Sequence, residues 1–294
     1  GLCTAGADVT GLGVLPTPAV AYLTASTEGA DAGIVISASH NPFEDNGIKI
    51  FGGAGYKLTD GEEARIEALI DAPPADKKTG GELGAVRPFD GDPADVYVRH
   101  VAGTAPFRLN GMRIAVDCAN GASSSTAEKL FRALGADAVI LNQSPDGVNI
   151  NTNCGSTHIE GLQEVVRKGH FAAGAAFDGD ADRCLMVDET GEVIDGDCLI
   201  GLLAQSMKAR GKLRGGAVGN IVKENGHAQV VGLVAVLFAA FFSAVALIDH
   251  GLVIGMVDAV FVVVKDRQQP HIVNAHGLQL GEIFGVLVEI VLQG

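Results

Sequence analysis

Three features of the sequence predict an α/β fold built from tandem domains with mixed or parallel sheets: its length, short apolar runs that alternate with helix signals, and polar loops where those runs end. At 294 residues the chain can bury two or three separate cores. The alternation covers most of the chain and gives way near Gly215 to an atypical apolar tail.

In the first unit, Thr17 followed by Pro18 offers a helix cap and a first-turn proline for a helix through about Ser26. Ala32 to Ile36 reads as a buried strand, Gly47 to Phe51 as a second, and Gly52 to Gly55 as the turn that follows. Thr59 with Glu62 forms a capping box for a helix through Leu69 and Ile70. Pro73-Pro74 and Gly80-Gly81 mark exposed connections.

A second unit begins near Phe107, with Arg113 to Cys118 as its first strand. Ser123 to Ser125 offer caps for a helix whose Ala127, Leu130, Phe131 and Leu134 share a face, stopped by Gly135. Strand Asp137 to Leu141, helix Gly161 to Lys168 and the apolar run Ala172 to Phe177 complete a strand-helix-strand series. That order implies a parallel sheet, which binds ligands at the carboxyl ends of its strands. The apolar run ends there in acidic residues.

With 35 Asp plus Glu against 21 Lys plus Arg and no basic run, the chain has no footprint for a nucleic acid. A small phosphorylated substrate stays open, because backbone donors or a bound cation hold phosphate despite an acidic balance. Five scattered cysteines without a CxxC pair read as reduced thiols, and the cytoplasm is the default location. Gly1 is not an initiator Met and no signal-like apolar block follows it, so the chain reads as a fragment. Val230 to Ile248 is uncharged and meets the length criterion for a membrane span. Against that stand the lack of flanking Lys/Arg, the lack of interfacial Trp or Tyr, and a second apolar block after Asp249. A membrane attachment is therefore not expected.

Asp178-Gly179-Asp180-Ala181-Asp182-Arg183 places carboxylates at alternate positions, so a tight loop can turn all three toward one hard cation. Unneutralised, they would repel at roughly 4 kcal/mol per pair if held ~4 Å apart in an effective dielectric near 20. Magnesium is the expected occupant. A calcium EF-hand loop also begins D-x-D-x-D, but Arg183 stands where that loop needs glycine, and a strand precedes it. An aspartyl-phosphate enzyme would use Asp178 as nucleophile and Asp180 as acid/base, and a plain acidic turn is the third alternative.

The other polar loop is Ser37-Ala38-Ser39-His40-Asn41-Pro42, in which Asn41-Pro42 keeps Asn41 out of helical geometry. Ser39 is displayed at a strand's carboxyl end with His40, Asn46 and Lys49 nearby in sequence. No G-x-S-x-G elbow surrounds it, so the Ser-His adjacency does not indicate a hydrolase triad. Taken alone, the spacing of this loop favours an ordinary polar turn.

Four segments resemble the phosphohexomutase superfamily, and its hexosamine-phosphate branch in particular. These are GIVISASHNPFEDNGIKIFGGAGYKL (Gly33 to Leu58), VDCANGASS (Val116 to Ser124), NINTNCGSTHIEGL (Asn149 to Leu162) and AAFDGDADRCLMVDETGEVIDGD (Ala175 to Asp197), in family order. The resemblance covers about residues 1 to 215. It implies tandem phosphohexomutase-type α/β domains: an incomplete domain I at 1–104 carrying the phosphoserine loop, domain II at 105–196 carrying the metal loop, and the start of domain III within 197–294. It implies that Ser39 is carried as phosphoserine and that Mg²⁺ is held by Ser39, Asp178, Asp180 and Asp182. His40, Lys49 and Arg183 match residues near the reacting group, with Lys49 in proton transfer or charge stabilisation and Arg183 ordering phosphate or aspartates. The implied reaction interconverts glucosamine 6- and 1-phosphates through a 1,6-bisphosphate; a glucose or mannose phosphate is the alternative substrate. The implied partner is this small hexosamine phosphate, and a homodimer is an open assembly. Family members also carry a Glu-x-Ser-Gly-His-like sugar-gripping segment and an Arg-Pro-Ser-Gly-Thr-like phosphate loop. Neither string occurs here, and 216–294 does not match.

Overall fold

A computed structural model describes residues 1–71, 78–105, 108–196, 198, 201, 211, 252–257 and 260–265. The stretch Val230 to Ile248 and the Pro73-Pro74 connection lie outside these residues, as does the rest of the apolar tail apart from one hairpin. Among the described residues, no helix is long and apolar enough to cross a membrane. The chain divides into two compact units, the first containing Gly1–Val193. In the second, strands Leu252–Val257 and Val260–Lys265 pair antiparallel.

The first unit opens with β1 (Val9–Gly11) and α1 (Thr17–Ser26). The antiparallel pair β2 (Ala32–Ser37) and β3 (Gly47–Gly52) follows, then α2 (Asp60–Asp71). Strand β2 alternates between buried and exposed residues instead of being buried throughout, because only its Gly33 and Val35 side faces α1. The expected capping box is present: Thr59 N–H donates to Glu62 Oε2 at 2.9 Å and Glu62 N–H to Thr59 Oγ1 at 3.4 Å. Strand β4 (Val86–Pro88) returns to pair in parallel with β1. Helix α3 (Pro93–Thr104) starts at Asp92, whose carboxylate accepts from Ala94 N–H at 2.9 Å, and buries Ala94, Tyr97, Val98 and Val101 on one face.

The second half is built on a five-stranded sheet, ordered β6-β5-β7-β8-β9. Its strands are β5 (Arg113–Asp117), β6 (Asp137–Leu141), β7 (Ala173–Phe177), β8 (Cys184–Asp188) and β9 (Val193–Ile194). Helices α4 (Ala127–Ala133) and α5 (Glu160–Gly169) supply the crossovers. The β6-β5-β7 part is parallel, as the strand-helix order requires. Strand β8, however, pairs antiparallel to β7, because only the six residues between Phe177 and Cys184 connect them and no crossover helix fits. The acidic loop is thus the tip of a β-hairpin.

Apolar burial fixes the layers. Leu162, Val166 and Phe171 form one buried cluster with Ala115 and Ala176 of the sheet and Val187 of β8. Gly174 lets α5 lie close to β7: a Cβ there would meet Val166 Cγ2 at 2.8 Å. Leu130, Phe131 and Leu134 of the α4 segment are buried as their spacing predicts, and Gly135 takes the left-handed conformation at φ 83°. Truncating Leu162 should leave a cavity that this tight layer cannot close. Leu162→Ala should lower unfolding free energy by about 2–5 kcal/mol, read from urea denaturation midpoints.

Candidate active site

Asp178 follows directly on the last residue of β7, and the hairpin tip gathers its carboxylates. Ligand atoms of Asp178, Asp180 and Asp182 all lie within 4.8 Å of one another. Asp178 and Asp180 are buried, at 0% and 1% exposure. Ala181 adopts φ 55°, and this left-handed residue turns the tip between the second and third aspartates.

Each carboxylate is met by protein donors. Lys49, from β3, reaches Asp180 Oδ2 at 2.6 Å and Asp182 Oδ2 at 2.7 Å. Thr17 donates its hydroxyl to the same Asp180 Oδ2 at 2.5 Å and its N–H to the Asp180 carbonyl at 2.9 Å. Asp178 Oδ1 accepts the Arg183 N–H at 3.1 Å, and Asp178 Oδ2 lies 3.5 Å from Ser39 Oγ. Arg183 Nε stands 4.0 Å from Asp178 Oδ2 and 3.8 Å from Asp182 Oδ1. Asp180 Oδ1 and Asp182 Oδ1 are buried without a hydrogen-bond partner.

The protonation balance follows from these contacts. Burial, reinforced by the charges of Asp182 and Asp180, pushes the Asp178 carboxyl up to about 7. Asp180 is buried too, but hydrogen bonds from Lys49 and Thr17 outweigh that burial and hold its carboxyl below the usual range. Burial of Lys49 is likewise overcome by its bonds to Asp180 and Asp182, and its ammonium is held above the ordinary lysine value. The two orphaned buried oxygens, in an all-oxygen set of three convergent carboxylates, are the donor chemistry that a hard divalent cation such as Mg²⁺ takes. Burial of Asp178 also argues against its use as an open nucleophile.

The serine loop is fastened to this hairpin through its backbone. Gly179 N–H donates to the Ser39 carbonyl at 3.1 Å. Asn151, 6% exposed, donates through its amide to the carbonyls of Ser39 at 2.8 Å and Asn41 at 2.9 Å. Ser39 itself sits at φ 54°, a conformation that a non-glycine residue adopts at some cost, and donates its N–H to Ser37 Oγ at 2.9 Å. The expected turn at Asn41-Pro42 is closed by Asn41 N–H on the Ala38 carbonyl at 3.0 Å.

Of the residues singled out in the sequence, Ser39, Lys49, Arg183 and the three aspartates come together. His40 is exposed beside Ser39 and is not among the residues bonded to the aspartates. Two contributors were missed. Thr17 was read as a helix cap, but α1 is capped by Pro16, whose carbonyl already accepts from Ala19 and Val20 N–H groups at 2.9 and 3.2 Å. That leaves the Thr17 hydroxyl free for Asp180; the only signal was a threonine between two prolines. Asn151 stood within a quoted motif, but no spacing rule links it to a loop 110 residues earlier.

Gly179 has no room for a side chain, since a Cβ would lie 2.4 Å from the Ser39 carbonyl oxygen and 2.5 Å from Ile150 Cδ1. Gly179→Ala should therefore separate the two loops and destabilise the chain by about 1–3 kcal/mol. Faster amide exchange at Gly179, beside a lowered denaturation midpoint, would register both effects.

The family model for phosphoglucomutase/phosphomannomutase, alpha/beta/alpha domain I, matches residues 1–76, and that for domain II matches 95–191. Phosphoglucosamine mutase of Pseudomonas entomophila is 51% identical over 228 residues, which is 77% of this chain and 50% of that protein. The same enzyme of Symbiobacterium thermophilum is 50% identical over 215 residues, 72% of this chain and 47% of the relative. The chain spans about half the length of the curated relatives it matches. Among solved structures, a phosphoglucomutase/phosphomannomutase family protein from Burkholderia thailandensis aligns with TM-score 0.59 at 33% identity, over 72% of this chain and 46% of that one. With both domain models matched in order across more than half of its residues, the chain belongs to the phosphoglucomutase/phosphomannomutase family of the phosphohexomutase superfamily.

Proposed function

We propose that this chain carries the phosphoryl-transfer half of a phosphoglucosamine mutase, with Ser39 as the phosphoryl carrier. The observation that carries the proposal is the approach of Ser39 Oγ to Asp178 Oδ2, 3.5 Å apart, beside the convergent aspartates. Identity near one half to curated phosphoglucosamine mutases supports the hexosamine substrate over a glucose or mannose phosphate. The product would feed UDP-N-acetylglucosamine and cell-wall precursor synthesis, and the setting would be the cytoplasm. Residues 1–104 would act as the phosphoserine domain, 105–196 as the metal domain, and 197–294 would begin a third.

In this reading Asp178, Asp180, Asp182 and phosphorylated Ser39 hold Mg²⁺. When bound, the ion neutralises the clustered charge and polarises the phosphoryl group for attack. Ser39 then gives its phosphoryl group to O1 of glucosamine 6-phosphate: the P–O bond to Oγ breaks, a new one to O1 forms, and the proton lost from O1 ends on Oγ, to pass to O6 in the return transfer. The resulting 1,6-bisphosphate reorients and returns its 6-phosphoryl group to Ser39 Oγ, leaving glucosamine 1-phosphate. Lys49, held as an ammonium by two ion pairs, suits charge stabilisation better than proton abstraction. Arg183 orders Asp178 through its backbone N–H and adds positive charge at the loop's edge. His40 is exposed at the loop surface, where it can meet an incoming sugar phosphate.

Incubation with glucosamine 1,6-bisphosphate and Mg²⁺ should place phosphate on Ser39, located by peptide mass spectrometry. Ser39→Ala should take up none, and Asp180→Ala should weaken metal binding. Hydroxylamine-labile phosphate on Asp178 would instead establish an aspartyl-phosphate enzyme and overturn the reading.

A further inference from the structure

We infer that Thr17 is a positioning residue for the metal centre: its hydroxyl locks the Asp180 carboxylate so that Oδ1 is the oxygen presented to the cation. The inference rests on the metal reading of the aspartate loop and not on the identity of the sugar. Asp180 is asymmetric. Its Oδ2 accepts two short bonds, from the Thr17 hydroxyl at 2.5 Å and the Lys49 ammonium at 2.6 Å, while its Oδ1 is buried with no hydrogen-bond partner. A carboxylate with one saturated oxygen and one bare, desolvated oxygen is poised to give a single ligand atom.

Lys49 alone does not fix this orientation, because its flexible stem also serves Asp182 at 2.7 Å and follows whichever oxygen turns toward it. Thr17 holds Asp180 at two points, through the hydroxyl on Oδ2 and through its N–H on the backbone carbonyl at 2.9 Å. Pro16 and Pro18 restrict the backbone on either side, and the β-branched side chain has few rotamers. Thr17 is 6% exposed and Asp180 1%, so water does not compete for the bond. Outer partners that orient a ligand in this way usually contribute 10- to 100-fold in metal affinity. The arrangement also ties α1, the helix preceding the serine strand, to the tip of the β7-β8 hairpin.

The test is Mn²⁺ binding to the full chain, followed by electron paramagnetic resonance of the free ion, for wild type, Thr17→Val and Thr17→Ser. Thr17→Val keeps the shape and removes the hydroxyl, and should weaken Mn²⁺ binding by about 10-fold or more. Thr17→Ser restores the hydroxyl without the methyl and should return most of the lost affinity. Should Thr17→Val not fold, by circular dichroism, Thr17→Ala takes its place against the same serine control. Equal affinity in wild type and Thr17→Val overturns the inference, and so does a Thr17→Ser as weak as the valine variant, which would assign the effect to packing. A wild-type chain that binds no Mn²⁺ removes the metal reading itself, and the wild-type curve alone reports that outcome.

Discussion

Three carboxylates confined within 4.8 Å set the condition that the surrounding structure meets. Like charges at such spacing in a buried loop cannot all be left ionised and unpaired. The chain divides the problem among three elements distant in sequence. Burial and its acidic neighbours push the Asp178 carboxyl up, while Lys49 from β3 bridges the other two and Thr17 from α1 adds a hydroxyl. What is left over is informative: Oδ1 of Asp180 and of Asp182 are buried without a hydrogen bond, the latter facing Arg183 Nε only at 3.8 Å. Lys49 occupies Oδ2 of both residues, and a cation is the group that would complete the two Oδ1 atoms.

Steric constraints of the backbone bring the serine to this cluster. Gly179 lies against the Ser39 carbonyl, and Gly121 is packed so closely on the hairpin that a Cβ would meet the Gly179 carbonyl oxygen at 2.2 Å. Ser39 holds a left-handed conformation that glycine would adopt freely, but glycine would leave no hydroxyl beside Asp178. The strain is tolerated because two hydrogen bonds to the Ser39 carbonyl fix the peptide from outside.

Three strands and both helices of the domain II sheet were legible because their signals are local. Apolar spacing marked the buried face of α4, and strand-helix alternation implied the parallel β6-β5-β7 core. The hairpin partner β8 was not legible as antiparallel, since the loop that makes it so was read for its chemistry and not for its length. Helix α3 was legible in principle, since Asp92-Pro93 offers a cap and a first-turn proline and Ala94, Tyr97, Val98 and Val101 recur at helical spacing. At the site, the aspartate triad was visible as a spacing pattern, while the grouping of Ser39 and Lys49 with it depended on resemblance. Thr17 was hidden for a simpler reason. Its nearest apparent task, capping a helix, is already done by the carbonyl of Pro16, and its actual partner lies 163 residues away.

Asn151 gives the serine loop a further property. Both of its side-chain hydrogen bonds go to main-chain oxygens, of Ser39 and Asn41, and neither touches the serine hydroxyl. The grip is therefore blind to what that hydroxyl carries. On the proposed role of Ser39, a group would be loaded onto Oγ and taken off again while the peptide beneath it kept the same restraints, so acceptor and donor would share one scaffold.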